Sequence, residues 1–364
     1  MSAAITDLTT VMSPDPDLVS LLRDVFDAYE SRRHVATAEI DLDHDLWRQL
    51  DELGLARFTT AEDHGGSGGG LIDAAALWSR AAAVAAPVPL VEHDLLASWL
   101  LVVAGLPTTD TGLCTATIVG ANGSARAVPW ARYAESVVAL WQEPGTRGAW
   151  RVANVPANQL TVEPRRDVAG RPSDNIQVPI DALRAGARVD PGVREQWRLR
   201  GALARCAQAV GAMEAVQTLV LAHVCERTQF GRPIGKYQAV QHLVADIAAE
   251  SALARAATDA AVLLATRNGW EEPGLPFAIA VAKSTVGHAS SVVVRGSHQA
   301  LGAIGTTLEH SLHLLTQPIL AWRGDFGSVH EWDTELTRMA VAAGGAGLWP
   351  LLTGDGEKKT SPHQ

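Results

Sequence analysis

The chain has 364 residues, a formal net charge of −10, 47% hydrophobic residues and 19% charged residues. The acidic balance excludes a nucleic-acid-binding protein, which would need a concentrated basic face, and the apolar content excludes disorder over most of the chain. The length predicts two or three structural units.

The first third of the sequence predicts helices. Apolar residues recur at three- and four-residue spacings over 15–33, and Asp43 or Asp45 can cap a second helix. Two more helical runs cover 71–85 and 92–104. These segments indicate a helical N-terminal unit.

A glycine cluster at 64–70 precedes the third of these helices. A phosphate-binding loop needs Lys followed by Ser or Thr after its last glycine, but Leu71 and Ile72 follow here. A dinucleotide-binding loop needs a preceding strand, and none is predicted. The cluster is therefore interpreted as a turn before a helix.

From about residue 115 the pattern changes to short β-rich runs separated by Gly, Pro and Asn, which predict a small antiparallel unit. These runs lie at 116–119, 136–141, 149–153 and 175–178. Long helices return at 194–225, 237–266, 276–301 and 308–322. The sequence thus predicts an N-terminal helical domain (1–114), a short middle β domain (115–190), a C-terminal helical bundle (191–352) and a disordered polar tail (353–364).

The three cysteines, Cys114, Cys206 and Cys225, form no C-x-x-C pair, which excludes zinc-finger and thioredoxin-like sites and predicts no metal site. Cys206 and Cys225 are expected to be small core residues. No secretory signal and no apolar stretch long enough to cross a bilayer is visible, so we expect a soluble cytoplasmic protein with no membrane partner.

The strongest chemical signal is the segment 227–241, which follows a long predicted helix. Its side chains offer a guanidinium for a phosphate, an aromatic face for a purine, and amides for hydrogen bonds. The candidate residues are Arg227, Gln229, Phe230, Gly231 and Gln238. Composition alone leaves an ordinary interhelical turn equally open.

The order of residues in this segment, Arg-Thr-Gln-Phe-Gly-Arg-Pro-Ile at 227–234, resembles a signature of the C-terminal helical domain of the acyl-CoA dehydrogenase family. The resemblance implies that this corner binds the ADP half of FAD from a neighbouring subunit. Arg227 would meet the pyrophosphate, Gln229 and Phe230 the adenosine end, and Gln238 the adjoining wall.

A second stretch, from Gln299 to His310, is similar to the family's Gln-x-x-Gly-Gly-x-Gly segment, whose backbone lies against the cofactor's phosphates. Gly302 and Gly305 allow close approach of backbone amides to an anion, whereas Ala303 replaces one family glycine. The resemblance implies a mainly α fold with a small β domain: an N-terminal helical domain, a middle β-barrel-like domain and a C-terminal four-helix bundle.

Family members oxidise an acyl-CoA at its α and β carbons, and a carboxylate removes the α proton. Most members carry this base as the Glu of Tyr-Glu-Gly-Thr, and here Asp325-Phe-Gly-Ser places Phe326 at that position. A minority carry it on the helix before the Arg-x-x-Phe-Gly corner, where Gly201 stands. The family's Thr-Glu-Pro-x-x-Gly-Ser-Asp loop, which holds the flavin ring, is also missing.

A chain without a base that keeps the adenosine corner resembles the non-catalytic subunit of actinobacterial α2β2 acyl-CoA dehydrogenases of sterol side-chain degradation. The resemblance implies FAD as cofactor, an acyl-CoA as substrate, with a steroid side-chain thioester as one candidate, and a second subunit that supplies the catalytic Glu.

Other interpretations stay open. Asp325 lies one residue from the base position and would act as the base of a self-sufficient homomeric enzyme, whereas a monooxygenase-like relative would need no base. Glu309 is a second candidate base, although a Glu after Thr306 and Thr307 is more typical of a helix cap. A flavin-free scaffold with the same fold is the remaining alternative.

Overall fold

The computed structural model describes residues 13–33, 35, 37–108, 112–145 and 149–353. The polar tail predicted to be disordered lies outside this part of the chain, apart from its first residue. Two helical regions flank a β region, in the order expected from the sequence.

The N-terminal region consists of helices. They are α1 (Pro16–Arg32), α2 (His44–Glu52), α3 (Leu71–Ala83) and α4, which combines a π-helical part (Val91–Ser98) with an α-helical part (Trp99–Val103). Asp15 caps α1 by accepting from the N–H of Asp17, and Asp43 caps α2 by accepting from Leu46. Asp43, and not Asp45, is therefore the cap of the second helix. All residues of the π-helical part are buried, including Glu92, His93 and Asp94.

The middle region forms two sheets. Its strands are β1 (Cys114–Val119), β2 (Ser124–Pro129), β3 (Ser136–Gln142), β4 (Trp150–Pro156), β5 (Thr161–Glu163), β6 (Ser173–Gln177) and β7 (Ala187–Val189), with a short helix α5 (Ile180–Ala185) before the last strand. One sheet has the order β1-β3-β4-β7 and the other β2-β6-β5. The prediction of an antiparallel unit was wrong for one pair, because β1 and β3 run parallel. Between them the chain crosses to the second sheet through β2, so it re-enters the first sheet in the same direction.

The C-terminal region contains the long helices α6 (Val193–Glu226), α7 (Gln238–Asn268), α8 (Leu275–Leu301), α9 (Leu312–Gly324) and α10 (Val329–Thr353). The helix predicted to start at residue 308 begins at Leu312, and α10 was missed by the sequence analysis. A small hairpin of β8 (Thr228–Gln229) and β9 (Arg232–Pro233) joins α6 to α7. The segment Leu275–Thr306 is long and apolar enough to cross a membrane, but half of its most apolar window is buried within the protein, as in a core helix.

The N-terminal helices dock on α6 by close backbone contact. A Cβ atom on Gly211 would lie 2.1 Å from the carbonyl oxygen of Ser79, so only glycine permits this crossing of α3 and α6. At the same crossing the Ser79 hydroxyl donates to the carbonyl of Ala207 (2.9 Å). This contact fixes the N-terminal region against the helix that carries the Arg-x-x-Phe-Gly corner.

Cysteines and tryptophans occupy different environments. Cys114 and Cys206 are buried, but Cys225 is exposed, so its prediction as a core residue was wrong: the last turn of α6 faces solvent.

Several tryptophans of this Trp-rich chain stack on arginine guanidinium groups. These pairs are Trp99 and Trp270 with Arg200, Trp322 with Arg171, and Trp332 with Arg198. Four of the 11 tryptophans of the chain therefore stack on cations.

Candidate functional site

The corner after α6 is a tight hairpin that presents an aromatic ring to solvent. Arg227 ends the helix, and its carbonyl accepts from the N–H of Ile234 (2.9 Å), which closes the hairpin. Phe230 at the tip is 93% exposed and has φ +53°, while Gly231 has φ +83°. A bulky residue in the left-handed region costs about 1–3 kcal/mol and is typical of functional surfaces. The corner is therefore built to expose Phe230.

Tyr237, just after the hairpin, packs against it. Its hydroxyl donates to the carbonyl of Gln229 (3.2 Å), and its ring meets Phe230 edge-on at 6.4 Å. Arg232 also stacks on the Tyr237 ring, with its guanidinium carbon 4.2 Å from the ring centre. The predicted residues from Arg227 to Gln238 therefore lie within one hairpin and its first following turn, with both the guanidinium and the aromatic ring near the surface.

The second predicted stretch forms a short 3-10 helix, Gly302–Thr306, at the end of α8. Gly302 has φ +65° with open space around its Cα, and Gln299 is exposed. Gly305 is buried, and a Cβ there would lie 2.8 Å from the Cβ of Leu301. Gly302 therefore leaves its backbone accessible, whereas Gly305 is required by packing.

Histidine electrostatics place the two stretches on the same side of the bundle. Burial and the neighbouring His223, His313 and His298 lower the pKa of His310. His223 belongs to the last turns of α6, just before the hairpin, and His310 follows the Gly302–Thr306 turn. His223 and His310, which flank the two predicted FAD segments in the sequence, therefore interact electrostatically.

These features fit the nucleotide end of FAD. An exposed guanidinium, an exposed aromatic face and an open glycine backbone match a pyrophosphate and a purine. Phe230 is left uncovered by the part of the chain that the structure describes, as expected for a surface that completes a site with another molecule. The assignment of Arg227, Gln229, Phe230, Gly231, Gln238, Gln299, Gly302 and Gly305 to the cofactor remains a prediction.

The two family positions for the base are in contact with each other. Phe326 has φ +58° in the turn between α9 and α10, and its ring lies against Gly201 on α6. A Cβ atom at Gly201 would lie 2.3 Å from the ring. Trp197, one turn earlier on α6, meets the same ring edge-on at 4.9 Å. A phenyl ring and a glycine thus meet at the two positions where the family resemblance places the base, and this placement remains a prediction.

A buried ionic cluster lies beside this contact. Arg205 donates to Glu92 (2.5 Å) and to Asp325 (2.8 Å), and the side chains of Arg205 and Glu92 are only 4% and 5% exposed. Burial alone would lower the pKa of Arg205, but the two carboxylates raise it above its ordinary value. The Asp325 carboxylate is therefore already engaged in an ion pair with Arg205. This geometry does not favour Asp325 as the proton acceptor.

Lys283 fixes the backbone of the same turn. Its Nζ donates to the carbonyls of Asp325 (2.7 Å) and Trp322 (3.1 Å) at the C-terminal end of α9. Burial lowers the pKa of Lys283, and the helix-end carbonyls offset this cost. Lys283, Arg205 and Glu92 were not predicted from the sequence; the available signal was a charge inside an otherwise apolar helical run.

The middle domain faces the Asp325 turn across a cleft of about 590 Å³. The cleft is rich in guanidinium groups, contributed by Arg126, Arg165, Arg166 and Arg171. Three of these arginines are ion-paired: Arg165 with Glu163, Arg166 with Glu39 and Asp41, and Arg171 with Asp167.

Glu309, the other candidate base, is exposed. Its carboxylate accepts from its own backbone N–H and from the Thr307 side chain, and these bonds lower the pKa of Glu309. A general base needs a raised pKa and a desolvated position. These bonds lie within its own turn and α9 begins only at Leu312, so the structure does not show the helix-capping role expected from the sequence.

Family models match both helical regions. The model described as "Acyl-CoA dehydrogenase, N-terminal domain" matches residues 20–109, and "Acyl-CoA dehydrogenase, C-terminal domain" matches residues 199–324. Among solved structures, the ChsE4-ChsE5 complex from Mycobacterium tuberculosis has a TM-score of 0.77 at 20% identity and covers 91% of this chain and 98% of its own. A variant of the Tcur3481-Tcur3483 steroid ACAD has a TM-score of 0.78 at 22% identity, covering 91% and 98%. The fold is therefore that of these dehydrogenases.

Sequence relatives give the family directly. Acyl-CoA dehydrogenase FadE34 of Mycobacterium tuberculosis is 29% identical over 321 residues, which cover 82% of this chain but only 43% of FadE34. Acyl-CoA dehydrogenase IpdE2 of the same organism is 30% identical over 284 residues, covering 75% of this chain and 79% of IpdE2. The chain thus spans less than half of FadE34 and most of IpdE2. It belongs to the acyl-CoA dehydrogenase family, whose members are FAD-dependent flavoproteins.

Proposed function

We propose that this chain is the non-catalytic subunit of a heteromeric acyl-CoA dehydrogenase. It contributes the nucleotide side of a shared FAD site, while a partner subunit of the same family supplies the Glu that removes the α proton. The observation that carries the proposal is the contact of Phe326 with Gly201, because both family positions for the base are filled by groups that cannot accept a proton.

The residues of this chain have binding and shaping roles in the proposal. Arg227 binds the pyrophosphate charge, and the exposed ring of Phe230 stacks on the purine. The bound flavin supplies the hydride acceptor for the β hydrogen. Arg205 and Lys283 hold the turn that carries Phe326, so its ring stays against Gly201.

The solved structures that share the fold support a second chain. The ChsE4-ChsE5 and Tcur3481-Tcur3483 structures each contain two named proteins, and the latter is described as a steroid ACAD. We extend this to a thioester with a bulky ring-bearing acyl group, such as a steroid side-chain CoA, as the substrate class of the complex.

Co-expression tests the shared site. We expect the chain purified alone to be colourless, and its complex with a Glu-bearing acyl-CoA dehydrogenase subunit to be yellow. Arg227→Ala in that complex should lower the ratio of flavin to protein, whereas Arg267→Ala, on the exposed last turn of α7, should not. Equal flavin content in both variants would argue against the nucleotide corner.

The competing homomeric enzyme makes the opposite prediction. A yellow homo-oligomer of this chain that bleaches on addition of acyl-CoA would overturn the subunit proposal. Asp325→Asn separates the two cases further, because it abolishes turnover if Asp325 is the base and leaves turnover of the heteromer unchanged if the partner's Glu is. Thermal unfolding of the Asp325→Asn complex controls for loss of structure.

A further inference from the structure

Arg200 lies between two tryptophan rings on the side of α6 next to the α4 helix. Its guanidinium carbon is 4.2 Å from the ring centre of Trp99 and 4.3 Å from that of Trp270. Stacking on both faces of a planar cation leaves only its edge, where the N–H donors point, open to a partner.

The donors of Arg200 have no acceptor in the described part of the chain. Its Nε is buried without a hydrogen bond, and no ion pair involves this guanidinium among the described residues. Burial lowers the pKa of Arg200 to about 9, so the group keeps its charge at neutral pH. A half-buried cation whose Nε is desolvated and has no acceptor is costly, which indicates that a further group completes it.

Asp94 is the nearby carboxylate, but its oxygens are already used. It accepts from the backbone N–H groups of Thr59 (2.7 Å) and Thr60 (3.1 Å) and from both hydroxyls (2.8 Å each). Burial raises the pKa of Asp94, and these four bonds oppose that effect. Asp94 therefore fixes the 59–60 backbone and does not pair with Arg200.

Arg200 lines a cleft of about 440 Å³, a volume suited to a small organic ligand. Apolar walls come from α4, α7 and the start of α3, including Leu71, Leu95, Val102 and Ala265. The N-terminus of α3 also reaches the cleft, since Gly70, its cap, provides no side chain to satisfy the first N–H groups. Asp94 also lines the cleft, with its oxygens occupied by Thr59 and Thr60, so the groups that favour an anion are the Arg200 edge and the N-terminus of α3.

The glycine loop beside the cleft does not form a phosphate cradle. Its N–H groups turn inward, with Gly68 donating to Thr60 (2.8 Å) and Gly69 to Phe58 (2.7 Å). A guanidinium edge with few other donors matches the two oxygens of a carboxylate better than the several oxygens of a phosphate.

We propose that this cleft binds an apolar molecule through a carboxylate group held by the edge of Arg200. The site differs from the proposed FAD corner and from the Phe326 contact, and it does not depend on the subunit role of the chain. A free aliphatic or aromatic acid and an acidic side chain of another protein share this chemistry, and the proposal commits to the free acid.

Titration of the full-length chain with hexanoate, hexan-1-ol and inorganic phosphate tests the site. Trp99 and Trp270 report binding through their fluorescence, because they flank Arg200. We expect saturable binding of hexanoate with weak or no response to the alcohol and to phosphate. Arg200→Met should abolish the response, and Arg200→Lys should weaken it by about tenfold.

Arg267→Met, on the exposed end of α7, is the matched control and should bind hexanoate as the unchanged chain does. Thr266→Trp leaves Arg200 intact and fills the cleft from its exposed rim, so it should also lose binding; it decides the matter if Arg200→Met does not fold. Equal responses to hexanoate and hexan-1-ol, equal or tighter binding of phosphate, or unchanged binding in Thr266→Trp would overturn the proposal. An absence of hexanoate binding would do the same and would leave a protein side chain as the partner of Arg200.

Discussion

The ring of Phe326 occupies the space that a side chain on Gly201 would fill. A Cβ atom at position 201 would lie 2.3 Å from the ring, although the two residues are far apart in the sequence. Phe326 reaches this place from a left-handed turn, with φ +58°. The two positions are therefore coupled, because the ring at position 326 leaves no room for a side chain at position 201.

This coupling predicts non-additive effects on stability. Gly201→Ala should lower the free energy of unfolding by about 1–3 kcal/mol, because the added methyl group displaces the ring. In a chain that already carries Phe326→Ala, the same change should cost much less. Urea unfolding of the two single variants and the double variant measures the coupling. If the free-energy changes of the two single variants add up in the double variant, the Phe326 ring moves aside without cost and the coupling is absent.

The Arg205 cluster predicts a hierarchy among its members. Arg205→Met should cost about 3–5 kcal/mol, because it leaves the buried Glu92 carboxylate without its cation. Asp325→Asn should cost less than about 1 kcal/mol, since its side chain is 38% exposed and water replaces the lost pair. Denaturant midpoints at one pH rank the variants. A larger loss for Asp325→Asn than for Arg205→Met would contradict this account.

His93 predicts loss of stability in mild acid. Burial, with Arg57 nearby, lowers the pKa of His93 from 6.5 to about 3, and its ring accepts from the N–H of Cys114 (3.0 Å). At pH 5 the unfolded chain therefore binds a proton that the folded chain does not. The contribution of His93 is complete above pH 6.5 and falls as the pH drops toward 3.

From pH 7.5 to 5.0 this effect amounts to about 2 kcal/mol. His93→Gln keeps a side-chain acceptor but does not titrate. Between pH 7.5 and 5.0 the variant should therefore lose about 2 kcal/mol less of its free energy of unfolding than the unchanged chain does. Urea unfolding of both chains at the two pH values isolates the His93 contribution from that of the other histidines. Equal changes in both chains would refute the assignment.

The exposed, left-handed Phe230 is expected to lower the free energy of unfolding while it contributes to flavin binding. Its left-handed backbone is unfavourable for a phenylalanine, and its ring is 93% exposed. Phe230→Asn, which tolerates this conformation, should keep or raise the free energy of unfolding by up to about 1 kcal/mol. The flavin content of the complex should fall in the same variant. A loss of both stability and flavin would indicate a packing role instead.

The order of helical and β regions followed from local patterns. The periodicity of α1, the cap at Asp43 and the long apolar runs of α6 to α8 are short-range signals, and each gave an element close to the observed one. The α10 helix was missed because its pattern is weak: of its described residues only Trp332 is buried. The parallel pairing of β1 with β3 was also missed, since a crossing through a second sheet leaves no local trace.

The sequence by itself determined the family signature at 227–234 and the lack of an acidic residue at both positions 201 and 326, because these facts need only residue identities. Only the tertiary structure decided that the ring of Phe326 fills the space over Gly201, that Arg205 holds Asp325, and that Arg200 lies unpaired between two tryptophans. The physical reason is that packing, desolvation and charge pairing join residues from distant segments. The spacing of residues along the chain does not show which residues of distant segments are in contact.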